Sequence, residues 1–291
     1  MRIKVRAYAK LNLFLDITGV LPSGRHSLNI ATQSVDVYDD ITVSVMSTDS
    51  FGCRITCDNP DIPCDERNIV WKAAKAFFDA VGTTAEITVD IEKHVALMGG
   101  MGGSSVDGAG TLVALNMLFG NKLDTEALCA VGDRIGADVP ICIKGGTQYS
   151  IVGGNMMTAE CEKDCTFVCV YPDFTLSTAA AYAEYDKNPT VINPHYADFV
   201  SSIVCGSLTD CAKYIDNVFT RIYSNSSIDR IKSDLIQNGA IVAEMTGSGS
   251  VVFGIFDNDK VAAQAIKTLQ EKYPVCFSAR PNDCGVEVLE R

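Results

Sequence analysis

Gly99-Gly-Met-Gly-Gly-Ser-Ser-Val-Asp-Gly-Ala-Gly-Thr-Leu-Val-Ala-Leu-Asn116 passes without a break from a glycine-rich loop into an apolar stretch of helical spacing. Such a junction is suited to phosphate. A loop without side chains lets backbone N–H groups approach phosphate oxygens, and the first turn of the following helix adds unpaired donors and a partial positive charge. Ser104, Ser105 and Asp107 suit that first turn, while Val106, Ala109, Val113 and Met117 recur on one side and are expected to face a core. Taken alone, the same pattern also describes a glycine turn capping an ordinary helix. The spacing excludes the two commonest phosphate loops. No lysine follows before Lys122, as a Walker-type loop requires, and Gly100, Gly102 and Ser105 break the dinucleotide spacing G-x-G-x-x-G. The cation that neutralises bound phosphate must come from elsewhere in the chain.

Working outward, the 291 residues suffice for two modest domains, and 47% hydrophobic with 21% charged residues describes a globular protein. A net charge of −12 opposes general attraction to nucleic acid or anionic membrane, so an anionic substrate needs a locally basic pocket. The N-terminus Met1-Arg-Ile-Lys-Val-Arg-Ala-Tyr8 alternates like a half-buried strand rather than a signal peptide. No stretch reaches the ~18 apolar residues of a membrane span. A soluble, cytoplasmic protein is expected. The twelve cysteines include no Cys-x-x-Cys pair. Cys161, Cys165 and Cys169 fall four apart, but Cys169 lies in an apolar run, so reduced thiols acting as small core side chains are expected and no metal site is assigned.

Strands and helices interleave in the first half: strands, a helix over 68–81, a strand over 85–91, the loop with its helix, and a helix over 125–135. Strands are then expected over 141–143, 147–152 and 166–171. An irregular connection follows over 185–197, then helix, strand, helix and strand over 208–223, 251–256, 259–272 and 275–279. A domain boundary is placed at 153/154, giving domains 1–153 and 154–291.

Three other segments carry candidate chemistry. Ala9-Lys-Leu-Asn-Leu-Phe-Leu15 puts Lys10 and Asn12 on one face of a strand, with Leu11, Leu13 and Leu15 on the other. Lys10 either snorkels at the strand's end or holds its charge beside a carboxylate or phosphate. Asp138, in Gly136-Ala-Asp-Val-Pro140 at an expected helix–strand junction, is either an exposed turn residue or, beside a lysine, a base for an attacking hydroxyl. Thr246-Gly-Ser-Gly249 is a second glycine loop before an apolar strand, by itself compatible with a simple turn.

Together, Ala9–Leu15, Gly99–Ser105 and Thr246–Gly249 resemble, in order and spacing, the three motifs of the GHMP kinase superfamily. Gly24-Arg-His26, Asp65-Glu-Arg-Asn68-Ile-Val70 and Gly136–Pro140 extend the likeness over essentially the whole chain, most closely to the branch acting on a cytidine-diphospho alcohol of the non-mevalonate isoprenoid route. The resemblance implies an α+β, two-domain fold: an N-terminal domain like ribosomal protein S5 domain 2 and a ferredoxin-like C-terminal domain. It implies an ATP-dependent phosphotransferase with an alcohol acceptor, using ATP and Mg2+. By position it implies Asp138 as base and Lys10 as its electrostatic partner. The phosphate loop becomes Gly99, Gly100, Gly102, Gly103, Ser104 and Ser105, with Asn68, Ile69 and Val70 near adenine. Gly247, Ser248 and Gly249 line the cleft, and Asn12, Arg25, His26 and Tyr182 face the acceptor. Expected partners are a small anionic alcohol and no nucleic acid or membrane; a homodimer is left open.

Departures accompany the likeness. Arg25 stands where the branch has a tyrosine that stacks on cytosine, Ala96 replaces an upstream proline, and Gly-Leu-Gly-Gly-Gly-Ser-Ser becomes Gly100-Met-Gly-Gly-Ser-Ser-Val106. An arginine can stack on a base or pair with an anion, so a related kinase with a non-cytidine anionic acceptor is the near alternative. A ligand sensor that kept the fold and lost the chemistry is the distant one. It has no need of Lys10 and Asp138.

Overall fold

The computed structural model describes all residues except 23, 47, 152, 153 and 224. The alternating N-terminal pattern produces a long strand, β1 (Arg2–Val20), which forms a hairpin with β2 (His26–Met46). β3 (Gly52–Cys57) and β4 (Glu86–Glu92) extend the sheet. The connecting helix α1 (Ile69–Val81) starts where Asn68 accepts the Val70 N–H and ends at left-handed Gly82, and it buries Val70, Ala73, Ala74, Phe77 and Phe78. α2 (Gly103–Leu118) packs against α1 and the sheet, followed by α3 (Thr125–Asp133) and α4 (Val139–Lys144). β5 (Thr147–Ser150) pairs with β2 and with β6 (Met156–Ala159). Val152 and Gly153, where a strand was expected to end and a domain boundary to fall, lie outside the described residues. On either side of them β5 and β6 pair as one hairpin.

The second sheet begins with β7 (Thr166–Tyr171), followed by α5 (Thr178–Lys187) and α6 (Tyr196–Cys205). A two-residue strand, β8 (Asp216–Asn217), joins β1, and α7 (Val218–Ile222) and α8 (Ser226–Gln237) follow. β9 (Val242–Met245), β10 (Val252–Phe256), α9 (Asp259–Gln270) and β11 (Val275–Ala279) complete an antiparallel sheet of order β11-β7-β10-β9. Strand order 4-1-3-2 with helices in the two crossovers is the ferredoxin-like arrangement. The chain then returns to the first sheet, where β12 (Val286–Glu290) pairs with β1. Among the described residues no helix is long and apolar enough to cross a membrane.

Several elements differ from the sequence reading. Residues 141–143 lie in α4 rather than a strand, because Pro140 sits in its first turn, where the missing N–H costs nothing. The expected helix over 208–223 is broken: Asn217 caps α7 through Phe219 N and donates its amide to the Met245 and Gly247 carbonyls. Within 185–197 only the middle is irregular, since α5 runs to Lys187 and α6 starts at Tyr196. α2 has no single core face. Leu112, Ala114 and Leu115 are buried with Val106 and Ala109, whereas Val113 and Met117 are half-buried. Finally, a register shift between Asn12 and Phe14 inverts the alternation of β1. Leu11, Leu13 and Phe14 enter the larger core, while Leu15 turns to the other side and joins the smaller core of the second sheet. All twelve cysteines are free thiols. Cys161, Cys165 and Cys169 are buried in the larger core, where burial pushes the Cys165 thiol up to about 12.

Candidate active site

The bulge in β1 leaves Lys10, Asn12 and Leu15 on the wall of one cavity of about 460 Å³ between the two sheets. Its other walls are the 97–105 loop, Ala137 and Asp138, Thr178 and Tyr182 of α5, Phe219 of α7, and Gly247 and Ser248. The three glycine- or lysine-bearing motifs therefore meet at one place, with Asn12 and Thr246 bonded across 234 residues of chain.

Lys10 is the centre of that meeting. Its ammonium donates to Asn12 Oδ1 at 2.5 Å and to the Gly100 carbonyl at 2.9 Å, and lies 3.3 Å from Asp138 Oδ2. Two hydrogen bonds and one ion pair thus fix the charge in place. The Lys10 side chain is buried, whereas Asp138 keeps 34% of its side chain exposed toward the cavity. Thr246 joins the second glycine loop to both partners: its Oγ1 accepts from Asn12 N at 2.8 Å and donates to the Gly100 carbonyl at 3.3 Å. Val251 N also donates to the Gly99 carbonyl at 3.1 Å.

The geometry of the 99–105 loop follows from its glycines. Gly100 and Gly102 have φ of 78° and 82°, a left-handed backbone that glycine adopts without strain. Gly102 is the N-cap of α2 and supplies no side-chain cap, so the first N–H groups of the helix are not engaged by a capping side chain. Ser104 and Ser105 line the cavity beside them. An uncapped helix start beside an open cavity is the kind of place where helix N-termini receive anions.

The remaining expected residues divide. Asn68, Ile69 and Val70 open α1 and do not line this cavity; Ile69 packs toward the glycines at 108 and 136. Gly249 lies behind the wall, with Met245 and Leu176 crowding its Cα, while Gly247 and Ser248 face the cavity. Tyr182 lines the cavity, meets Phe219 edge-on, and burial pushes its phenol up to about 12. His26 is not in the wall but lies against Tyr182, ring centroids 4.8 Å apart and planes tilted by 30°, and its Nε2 lies 2.8 Å from Asp186 Oδ1. Arg25 points away, pairing with exposed Asp133 at 3.4 Å.

Sequence reasoning missed Phe219, Thr178, and a buried cluster under the phosphate loop in which Lys93 bridges Asp39 and Asp107. Asp107 had been read only as a first-turn residue. Asp39 and Asp107 lie 54 and 14 residues from Lys93 in the chain, and no local spacing signals the pairing.

Comparison with known proteins agrees with this geometry. The descriptions "GHMP kinases N terminal domain" and "GHMP kinases C terminal" match residues 68–146 and 212–275. A 4-diphosphocytidyl-2-C-methyl-D-erythritol kinase of Clostridium tetani is 34% identical over 274 residues, covering 93% of this chain and 97% of that protein. The namesake from Clostridium acetobutylicum is 32% identical over 285 residues, covering 96% and 99%. Among solved structures, homoserine kinase from Cytophaga hutchinsonii superposes with a TM-score of 0.79 at 19% identity, covering 99% of this chain and 97% of that one. A 4-(cytidine 5'-diphospho)-2C-methyl-D-erythritol kinase gives 0.73 at 21%, covering 96% and 98%. At those identities the structures establish the fold alone, and they span kinases of different acceptors. The sequence relatives are more selective, and with identity above 30% over nearly its whole length this chain belongs to the GHMP kinases, in the family of 4-diphosphocytidyl-2-C-methyl-D-erythritol kinases.

Proposed function

We propose that this chain is a cytoplasmic enzyme that transfers the γ-phosphoryl group of Mg-ATP to the hydroxyl of 4-diphosphocytidyl-2-C-methyl-D-erythritol. The observation that carries the reading is the Lys10–Asp138 pair, 3.3 Å apart, at the mouth of the glycine cradle. Phosphoryl transfer asks a protein mainly to position two substrates and to neutralise charge. Here the loop amides and the N-terminus of α2 receive the donor phosphates, and Mg2+ arrives as part of Mg-ATP, its ligands largely phosphate oxygens and water. Asp138 accepts the proton of the acceptor hydroxyl as that oxygen bonds to the γ-phosphorus and the bond to the ADP oxygen breaks. Lys10, held by Asn12 and Gly100, holds the Asp138 carboxyl group in place and offsets charge on the transferring group. Asn12 does its part by holding Lys10. Tyr182 offers an aromatic face on the acceptor side, and His26 is positioned behind it.

The test is an ADP-release assay with the cytidine-diphospho alcohol, mevalonate and homoserine as separate acceptors. ADP released only with the first supports the reading. Intact ATP binding without phosphorylation of the cytidine substrate overturns it, and turnover of another acceptor then identifies the replacement.

A further inference from the structure

Beneath the phosphate cradle, and outside the cavity wall, lies a charge cluster that no step of the proposed reaction uses. The Lys93 ammonium donates to Asp39 Oδ2 at 2.6 Å, Asp107 Oδ2 at 2.7 Å and the carbonyl of Gly103 at 2.8 Å. All three side chains are essentially excluded from solvent. The three bonds join β2, the turn after β4 and the first residues of α2. Asp39 completes the joint through Oδ1, which accepts from His94 N and Val95 N.

Two features give the cluster more than a packing role. First, it reaches the helix turn that bears the donors: the Gly103 carbonyl belongs to the first residue of α2, and Asp107 lies one turn on. Second, its charges do not balance. One ammonium faces two carboxylates, and Asp107 Oδ1 is buried with no hydrogen-bond partner. With both aspartates ionised, a net negative charge lies under a site built for anions, in a dry interior where charge is weakly screened. A proton on Asp107 cancels it.

Resting on the reading of the loop as the ATP phosphate site, we propose that Lys93 and Asp107 position the first turn of α2, and that the charge on Asp107 sets how tightly the loop holds phosphate. Lys93 is a positioning residue, since its three donors are already engaged. Burial pushes the Asp107 carboxyl up to about 8, against the pull of Lys93 and with the push of Asp39. Further groups around it are the Cys57 and Cys142 thiols, both raised by burial, Asp58, whose Oδ1 accepts from Lys93 N, and the Lys10–Asp138 pair beyond Cys142. As pH rises through the Asp107 titration the cluster goes from neutral to negative, and phosphate affinity falls.

The experiment measures the dissociation constant of the β,γ-imido analogue of ATP, with Mg2+, between pH 6.5 and 9. The proteins are the wild type, Asp107→Asn and Asp107→Ala. The asparagine keeps an acceptor for Lys93 and removes the charge; the alanine removes both. The ratio of wild-type to Asp107→Asn dissociation constants cancels the titration of the nucleotide and of every other group. It should be near one at pH 6.5 and rise to about threefold or more at pH 9. A flat ratio overturns the role of charge. The two variants carry the same charge, so the alanine protein should bind about fivefold or more weakly than the asparagine protein; equal affinities in folded proteins overturn the positioning role. Should Asp107→Ala fail to fold, Lys93→Arg takes its place, with weaker binding at all pH values expected and wild-type binding decisive against positioning. No binding by the wild type removes the ATP reading, and this proposal with it.

Discussion

Replacing Gly100 by alanine adds one carbon at the point where the two glycine loops meet. A Cβ there would overlap the Thr246 carbonyl oxygen, with the carbonyl carbon 3.0 Å away and Gly249 N at 3.2 Å. Comfortable contacts of this kind need about 3.5 Å, so relieving the overlap with the carbonyl oxygen requires the loops to part by roughly 1 Å or more. The movement would be transmitted to the chemistry, because the Gly100 carbonyl accepts from both Lys10 and Thr246. A misplacement of that size costs on the order of 10²-fold in rate. The left-handed backbone adds about 1–2 kcal/mol of strain, which must be separated from the steric effect. Gly120 supplies the control: its φ is 80°, against 78° at Gly100, yet nothing lies within 4 Å of its Cβ position. Both alanine variants should lose about 2–4 °C of thermal midpoint for each kcal/mol of strain. Only Gly100→Ala should lose kcat/KM, measured by ADP release at varied ATP and acceptor. If Gly100→Ala keeps kcat/KM within about threefold of wild type while folding as well as Gly120→Ala, the close approach of the loops is not needed and the reasoning fails.

Asp138→Asn preserves shape and an acceptor for Lys10 but cannot take a proton; kcat should fall by at least ~10²-fold with ATP affinity retained, and turnover within a few-fold of wild type would rule out Asp138 as base. Arg25→Tyr breaks only an exposed pair with Asp133. The KM of the cytidine acceptor should therefore stay level or fall, whereas a rise of about tenfold, worth ~1.4 kcal/mol, would make Arg25 the charge partner of the acceptor.

What local pattern could determine, it determined in the sequence. The glycine loop feeding α2, the helix read over 68–81 and the common face of Lys10 and Asn12 depend on neighbours within a few residues, so spacing alone exposes them. The ferredoxin-like order of the second sheet was legible only through family likeness, because strand order is not written in any single strand. Local reasoning failed where a distant partner overrode propensity. Residues 208–223 look helical, yet Asn217 is claimed by carbonyls about thirty residues onward, and the helix breaks. Leu15 belongs by alternation with Leu11 and Leu13, but a bulge set by pairing with β2 turns it toward the cavity. Likewise nothing near Lys93 in the chain announces Asp39 or Asp107, which the sheet and helix bring to it from 54 and 14 residues away. The sequence by itself determined which glycine loops and charged groups this protein has to offer a phosphate. Tertiary structure alone decided which of them share a site, because burial of the same charges is tolerable only where packing brings their partners within hydrogen-bond reach.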